Sequence, residues 1–290
     1  MTFRIKFAKF GVIRFIGHLD VMRYFQKVIR RSELPVSYSQ GFSPHQLMSF
    51  ALPLGVGITS DGEYMEVDFD GEALYRLVMI RKQPDAGLSC GSEQDPEVIR
   101  DTVSDEELEN TVFAELERNT TEGFEILKVK RLPDPKMNVH QDKAMSLVTA
   151  ADYLISVKDG YDTGFASKEE FLGCFTSFLD TDTIEVTKKT KKSEKVINIR
   201  DYIYSFRDDG FNEGNDEGIT GFTGTEHAPE YENGIRMAVR LAAGSVMNIK
   251  PELVLEAFMS YAGHSYDENA FALHRMYLLT GEKGSFKSLI

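Results

Sequence analysis

Residues 2–31 read TFRIKFAKFGVIRFIGHLDVMRYFQKVIRR, and their pattern indicates the first two elements of the fold. Between residues 2 and 8, the apolar residues Phe3, Ile5 and Phe7 alternate with basic side chains, a pattern typical of a half-buried strand. A pattern with a helical period follows after a turn at Gly11. The chain therefore opens with a strand and an amphipathic helix.

The helix predicted over residues 19–31 has one apolar and one cationic face. Apolar residues recur at spacings of three and four; they are Leu19, Met22, Phe25, Val28 and Ile29. Basic residues recur at i, i+4, i+7 and i+8 and so share a second face; they are Arg23, Lys27, Arg30 and Arg31. Pro35 ends the helix because its ring is incompatible with helix continuation.

Later elements extend this beginning into a β-α-β-β-α-β order, a split β-α-β arrangement. Strands are predicted at 47–52 and 63–69 around a turn-rich segment, an acidic helix at 105–117 and a strand at 124–129. The same order then recurs, with strands at 146–157 and 234–242, a capping box at Ser167, a hairpin at 183–200, a helix from Pro251 and a strand at 271–279.

The repeated order predicts an α+β fold of two tandem ferredoxin-like (β-α-β-β-α-β) units with antiparallel sheets. The predicted organisation is a first unit over 1–131 with an insertion at about 81–104, a linker over 132–145, and a second unit over 146–290 with an acidic loop at 207–233.

Charge is distributed unevenly along the 290 residues. The net charge is -13, yet residues 1–50 contain eight Lys or Arg and two acidic residues, a local +6 that leaves -19 for the rest. Most of the protein surface would repel a polyanion, and the part formed by residues 1–50 would attract it. The pattern favours a localised anion site over general nucleic-acid coating, although such charge also serves solubility alone.

The cysteine content excludes several cofactor classes. Cys90 and Cys174 are the only two cysteines, and they lie too far apart in the sequence, with no second cysteine at metal-ligand spacing, for a zinc knuckle, a C-x-x-C redox pair or a cysteine-held iron–sulfur cluster. His227, His264 and His274 are dispersed, so we expect no metal and no other cofactor. The sequence has no run of membrane-spanning length and no signal-peptide core, which predicts a cytoplasmic protein with no membrane partner.

The candidate site lies around residues 14–20 and 36–46, and long irregular connections like the second are often functional. Arginine contacts phosphate in a bidentate manner, aromatic rings stack on bases, and hydroxyls and amides donate hydrogen bonds. The residues predicted to bind an anion such as RNA are Arg14, Arg23, Lys27, Arg30, Arg31, Tyr38, Ser39, Gly41, Phe42 and Ser43. The alternative is that Phe42 fills the core and the basic residues form a solvated face.

The signals for catalysis are weaker. His18 and Asp20 lie two residues apart, so their side chains do not face each other on a helix, and Asp20 is placed to stabilise the positive end of the helix. The candidates for acid–base chemistry are His18 or His45, with Tyr38 as a helper.

A lysine-rich hairpin tip at 188–195 is a second positively charged feature. Lys191, Lys192, Lys195 and Arg200 are predicted to follow a phosphate backbone. Lysine at an exposed β-turn also protects a sheet edge from unwanted pairing, and the sequence leaves both interpretations open.

Three segments carry a family resemblance: RFIGHLD at 14–20, LPVSYSQGFSPH at 34–45 and SFALPLG at 49–55. Together they resemble the radical SAM-linked protein family, a bacterial family of unknown function whose members are encoded beside, or fused to, a radical S-adenosylmethionine (SAM) protein. The chain departs from the family pattern at Gln46, where a second proline is expected. The resemblance implies a radical SAM protein as partner, since this chain lacks the C-x-x-x-C-x-x-C triad that holds such an enzyme's cluster.

Three functions remain open. The preferred hypothesis is a non-catalytic accessory protein that binds RNA or presents a substrate to a radical SAM enzyme. The second is a metal-independent RNA endonuclease, because repeated ferredoxin-like units are similar to the architecture of CRISPR RNA-processing endonucleases. The third is a structural interaction module that binds only its partner protein and no ligand.

Overall fold

The computed structural model describes residues 1–82, 100, 102–133, 143–189, 194–208 and 223–290. They form a mixed α+β protein in which most strand pairs are antiparallel. Two compact units are present: Met1–Val56 with Glu63–Met145 and Ile290, and Gly57–Gly62 with Ser146–Leu289. Within the described ranges, no helix combines the length and the apolar character needed to cross a membrane.

The first unit has the strand order β4-β1-β3-β2. Strand β1 is antiparallel to β4, and β2 is antiparallel to β3. The elements are β1 (Thr2–Lys9), α1 (His18–Arg31), β2 (Met48–Phe50), β3 (Thr59–Asp68), α2 (Gly71–Lys82), α3 (Asp105–Asn119) and β4 (Phe124–Arg131). The first four residues of β3 belong to the second unit.

Strand β1 is buried on both faces, which corrects the half-buried strand predicted from its alternation. Its apolar residues enter a core with Phe25 of α1 and Leu108 of α3, as the pattern predicts. On the other face Arg4 is also buried, and its Nη2 lies 2.7 Å from Glu66 Oε1 on β3. The backbone N–H of Ala144 donates to the same carboxylate oxygen. A buried charge is tolerated here because it is paired and hydrogen-bonded.

Helix α1 confirms the predicted helix, with one correction to its apolar stripe. Leu19 is 60% exposed, whereas Val21 is buried. Leu19 shares the i, i+4, i+8 row with Arg23 and Lys27, so it lies on the solvent side of the helix. The buried residues Val21, Phe25 and Val28 follow the complementary spacing of four and three.

Helix α2 is an element that the sequence patterns did not predict. Arg81 and Lys82 are its last residues, and most of the insertion predicted at about 81–104 lies outside the described residues. Apolar residues occur on several sides of α2, and only Leu74, Tyr75 and Val78 among them are buried. Apolar residues that are spread around a helix give no clear helical period in the sequence.

The second unit has the strand order β10-β5-β9-β8, with each neighbouring pair antiparallel. Strands β6 and β7 form a separate antiparallel pair, and β11 extends β10. The elements are β5 (Ala150–Val157), α5 (Lys168–Leu179), β6 (Glu185–Lys189), β7 (Glu194–Asn198), β8 (Ile203–Arg207), β9 (Arg236–Ala242), α6 (Pro251–Tyr261), β10 (Phe271–Thr280) and β11 (Lys287–Ser288). The short helix α4 (Ala144–Leu147) has its first two residues in the first unit and its last two in the second.

Aromatic rings hold the two longer helices of the second unit together. Phe258 of α6 contacts Phe171, Phe175 and Phe178 of α5, with ring centroids 5.3, 5.0 and 5.7 Å apart. The three α5 residues lie at spacings of four and three and therefore face one side of the helix. Ser167 caps the start of α5 by accepting a hydrogen bond from the Glu170 N–H.

Strand β3 begins four residues earlier than the predicted strand at 63–69. Its first residues, Thr59 and Ser60, pair in parallel with His274 and Arg275 of β10. Gly62 permits this approach because an added Cβ would collide with the backbone carbonyl of Met276. The Asp-Gly dipeptide, a usual turn signal, here marks a close contact between strands.

Candidate nucleic-acid interface

The four basic residues of α1 share its solvent side and form what we call the basic face: Arg23, Lys27, Arg30 and Arg31. All four are exposed, on the side away from the buried residues of the helix. The helix places them there because residues three, four and seven apart lie along one face. Arg23 and Arg31 are separated by about 12 Å along the axis, at 1.5 Å per residue.

Two of these residues contact other groups of the first unit. Arg23 Nη1 lies 3.1 Å from Asp20 Oδ1, and both side chains are mostly exposed. Arg31 Nη2 donates to the carbonyl of Asn119 at 2.8 Å. Across the described residues, Lys27 and Arg30 have neither an ion pair nor a side-chain hydrogen bond. Exposed ion pairs contribute only about 0–1 kcal/mol, so Arg23 can exchange Asp20 for a phosphate at little cost.

Residues 38–46 form a closed loop, which we call the Phe42 loop. A backbone bridge joins Tyr38 to Gln46, and the N–H of Ser39 donates to the carbonyl of His45 at 2.8 Å. The side chains reinforce this closure, since Ser39 Oγ lies 2.8 Å from His45 Nδ1 and accepts from the His45 N–H at 3.1 Å.

The tip of the loop exposes an aromatic ring. Phe42 is fully exposed, and Tyr38 at the base of the loop is 48% exposed. Gly41 has φ +116°, a value that favours glycine, and Ser43 is exposed beside the ring. The alternative in which Phe42 fills the core is therefore wrong.

The base of the Phe42 loop contacts α1 beside the basic face. Gln46 Nε2 donates to the carbonyl of Gln26 at 3.4 Å, a long bond. Gln26 immediately precedes Lys27 and lies one turn before Arg30. A proline at position 46 would have no side-chain N–H and could not make this contact. The other amide atom, Gln46 Oε1, is buried and accepts no hydrogen bond from the described residues.

Arg14 lies at the other end of α1, in a short 3-10 turn over Gly11–Phe15. Its guanidinium carbon is 4.8 Å from the centroid of the exposed Phe15 ring, a cation–π contact. Lys9 Nζ donates to the carbonyls of Arg14 and Ile16 at 3.2 and 3.0 Å and so fixes this turn.

The catalytic candidates differ in their surroundings. The His18 ring meets Phe50 edge-on, with centroids 5.2 Å apart. Burial lowers the pKa of His18, and the charge of Glu63 opposes this effect. Asp20 contacts Arg23 instead of His18. His45 is exposed and bonded to Ser39, which makes it the more accessible of the two imidazoles.

The lysine-rich hairpin belongs to the second unit. Lys191 and Lys192 lie outside the described residues. Lys195 is exposed on β7. Arg200 Nε donates to the carbonyl of Leu179 at 2.6 Å, so this guanidinium helps to satisfy the carboxyl end of α5.

The second unit contains a polar cluster that the sequence patterns did not predict. Asp61 is buried on β3, and its carboxylate oxygens lie 2.6 Å from His227 Nδ1 and 3.3 Å from His274 Nε2. His274 Nδ1 also lies 2.8 Å from Thr59 Oγ1. Burial alone would raise the pKa of Asp61, but the hydrogen bond and charge of His274, with the two bonds from His227, bring that pKa well below its usual range.

Two of the three histidines that are dispersed in the sequence, His227 and His274, thus contact one carboxylate. The three residues are so far apart in the chain that no local spacing could have revealed them. In the described ranges, no group of three or more His, Cys, Asp or Glu side chains is arranged to hold a metal ion.

Two comparisons with known proteins complete this description. A family model described as "Uncharacterized protein conserved in bacteria (DUF2344)" matches residues 2–82 and 79–251. A search of curated proteins finds no match. The matched residues cover most of the chain and include the basic face and the Phe42 loop, and we conclude that the chain belongs to this bacterial family, DUF2344.

Proposed function

We propose that this chain is a non-catalytic RNA-binding protein that presents RNA to a radical SAM enzyme. The observation that carries the proposal is the contact between Gln46 and Gln26, which joins the Phe42 loop to the basic face of α1. Cationic side chains and an exposed ring thereby lie on neighbouring parts of one unit.

The chemistry of these side chains suits RNA. Arginine offers five N–H donors in a planar fork that matches phosphate oxygens. Aromatic rings stack on any unpaired base because every base has a π-face. Phe42 supplies such a ring, and Lys27 and Arg30 supply exposed charges.

The charge distribution supports a localised site. Residues 1–50 carry +6, while the remaining residues carry -19. Acidic surface repels the phosphate backbone, so binding away from the basic face is disfavoured. A protein that coats nucleic acid has the opposite balance.

We also propose that the two units are tandem ferredoxin-like domains. Their strand orders, β4-β1-β3-β2 and β10-β5-β9-β8, place the last strand of each unit beside the first and the third beside the second. This is the order expected when a β-α-β-β-α-β chain forms one antiparallel sheet. The β6–β7 hairpin is then an insertion after the first helix of the second domain.

The radical SAM partner is proposed from the resemblance of residues 14–55 to the radical SAM-linked protein family. Since the chain contains two cysteines, the cluster chemistry belongs to the partner. In this proposal the chain holds the RNA and the partner modifies it.

Binding of fluorescein-labelled RNA, followed by fluorescence anisotropy, tests the proposal. We expect Arg23→Glu/Arg30→Glu to weaken binding at least about tenfold by placing carboxylates beside the phosphates. Arg76→Glu/Lys128→Glu is the matched control, because both residues are exposed on other elements of the same unit and the charge change is identical. Circular dichroism checks that each variant is folded.

Two results would contradict the proposal. Equal binding by the two double variants would remove the basic face as the site. Absence of binding by the unmodified chain would favour a structural module that contacts only its partner. Purification of the chain from its native host, with identification of the bound protein and RNA, tests the partner separately.

A second candidate function is metal-independent RNA cleavage. It is favoured by one observation, the 2.8 Å contact between Ser39 Oγ and His45 Nδ1 on the exposed loop. An imidazole oriented by a hydrogen bond is suited to remove the proton from a ribose 2′-hydroxyl. Tyr38 lies beside Ser39 as a further proton donor.

A further inference from the structure

Phe42 is the most unusual exposed side chain of the first unit. Its ring is fully exposed, although burial of a phenylalanine side chain stabilises a protein by about 1.5–3 kcal/mol. The loop that carries it is closed by three hydrogen bonds between Ser39 and His45. The ring is therefore presented to solvent by an ordered segment, which favours contact with another molecule.

We propose that this site binds an unpaired RNA strand, with one base stacked on Phe42 and the adjacent phosphates on the basic face. The inference rests on the proposed function and specifies the form of RNA that is bound. A base inside a duplex has both faces covered by its neighbours, so Phe42 cannot stack on it without opening the helix. An unpaired base offers its face directly.

The length of the basic face supports the same form of RNA. Arg23 and Arg31 span about 12 Å along α1, enough for a few consecutive phosphates of one strand. Domains that recognise double-stranded RNA by its shape make contacts across about 16 base pairs and two successive minor grooves. The basic face alone is too short for that footprint.

The position of the ring also fits a strand that runs along α1. The base of the Phe42 loop contacts Gln26, which lies between Arg23 and Lys27. Phosphates on the basic face would therefore pass beside the loop, and a base from the same strand can turn toward its tip. Tyr38, half exposed at the loop base, provides a second aromatic surface.

The experiment compares one RNA sequence in two forms. A labelled 12-nucleotide strand without self-complementarity is titrated alone and after annealing to its complement, with the full chain and three Phe42 variants. We expect the unpaired strand to bind at least about tenfold more tightly than the duplex, and Phe42→Ala to weaken only the binding of the unpaired strand, by about 5- to 100-fold.

Two further variants separate stacking from other effects. Phe42→Leu keeps an apolar side chain of similar size but removes the aromatic face, so it should resemble Phe42→Ala. Phe42→Trp keeps a larger face and should bind as well as the unmodified chain or better. Because Phe42 contacts no core residue, these changes should leave the unfolding temperature unchanged.

The outcomes distinguish this inference from the proposed function. Equal affinity for the two forms, with both weakened by charge reversal on the basic face, would overturn the preference for unpaired RNA but leave RNA binding intact. Phe42→Leu binding as well as the unmodified chain would overturn the stacking contact. Absence of binding to either form would overturn the inference and the proposed function together.

Discussion

Salt dependence provides a quantitative test of how many cations of α1 meet phosphates. Binding to a single strand releases counterions, so the logarithm of the association constant falls linearly with the logarithm of salt concentration. The slope is about -0.7 for each phosphate contacted. The four residues of the basic face therefore predict a slope of about -2.8 if each meets one phosphate.

Removal of two of these contacts should halve the slope. We choose Lys27→Ala/Arg30→Ala because both side chains are exposed and make no ion pair among the described residues. Between 50 and 200 mM salt, the affinity of the unmodified chain should fall by about 50-fold. That of the double variant should fall by about 7-fold, since only two contacts remain.

Anisotropy titrations at four salt concentrations in this range give both slopes. The Debye length is about 10 Å at 0.1 M, so the acidic remainder of the chain is largely screened and the slope reports close contacts. Arg76→Ala/Lys128→Ala is the charge-matched control and should keep the slope of about -2.8. A double-variant slope equal to that of the unmodified chain would show that Lys27 and Arg30 meet no phosphate, and the reasoning from the basic face would fail.

Two further predictions concern the other polar groups. Asp61→Asn should lower the free energy of unfolding by about 3 kcal/mol at pH 7, because it removes the buried carboxylate that His227 and His274 both contact. Folding lowers the pKa of Asp61, so this stabilisation is present above the unfolded-state pKa of about 3.9 and is lost as pH falls below that value. In urea unfolding, the difference in unfolding free energy between the variant and the unmodified chain should be smaller at pH 3 than at pH 7. A constant difference would contradict the assignment. In EDTA, we expect labelled RNA to remain intact with both the unmodified chain and the His45→Ala variant. If the unmodified chain cleaves the RNA and His45→Ala abolishes that cleavage, the second candidate function would be favoured.

The elements with a clear period were predictable from the sequence. Strand β1 and helices α1, α3, α5 and α6 follow the predicted order. Each has a local signal: alternation in β1, an apolar stripe in α1, an acidic run in α3, a cap at Ser167 of α5 and a first-turn proline at Pro251 of α6. The exceptions have physical causes. Apolar residues on several sides of α2 gave no single stripe, and Gly62 was a turn signal although its role is to admit a neighbouring strand.

The Asp61 cluster could not be predicted for a different reason. Its carboxylate contacts His227, which is 166 residues away in the sequence, and His274, which lies on the distant strand β10. Each residue alone is an ordinary polar residue in a strand or loop. Only the parallel register of Thr59 with His274 brings the imidazole to the carboxylate, and register between distant strands is set by the whole packing arrangement.

The orientation of Phe42 depends on the same kind of tertiary information. A phenylalanine in an irregular connection can fill a core or point into solvent, and the sequence leaves both open. Here the core of the first unit is already occupied by rings in mutual contact, with centroids 4.7 to 6.3 Å apart: Phe7, Phe25, Phe50 and Phe124. Interiors are packed to the density of organic crystals, so a further ring would require that cluster to expand. Hydrogen bonds between Ser39 and His45 close the loop at its base, on either side of Phe42 in the sequence. The ring is therefore held outside the core, where a stacked base can cover it without any rearrangement of the core.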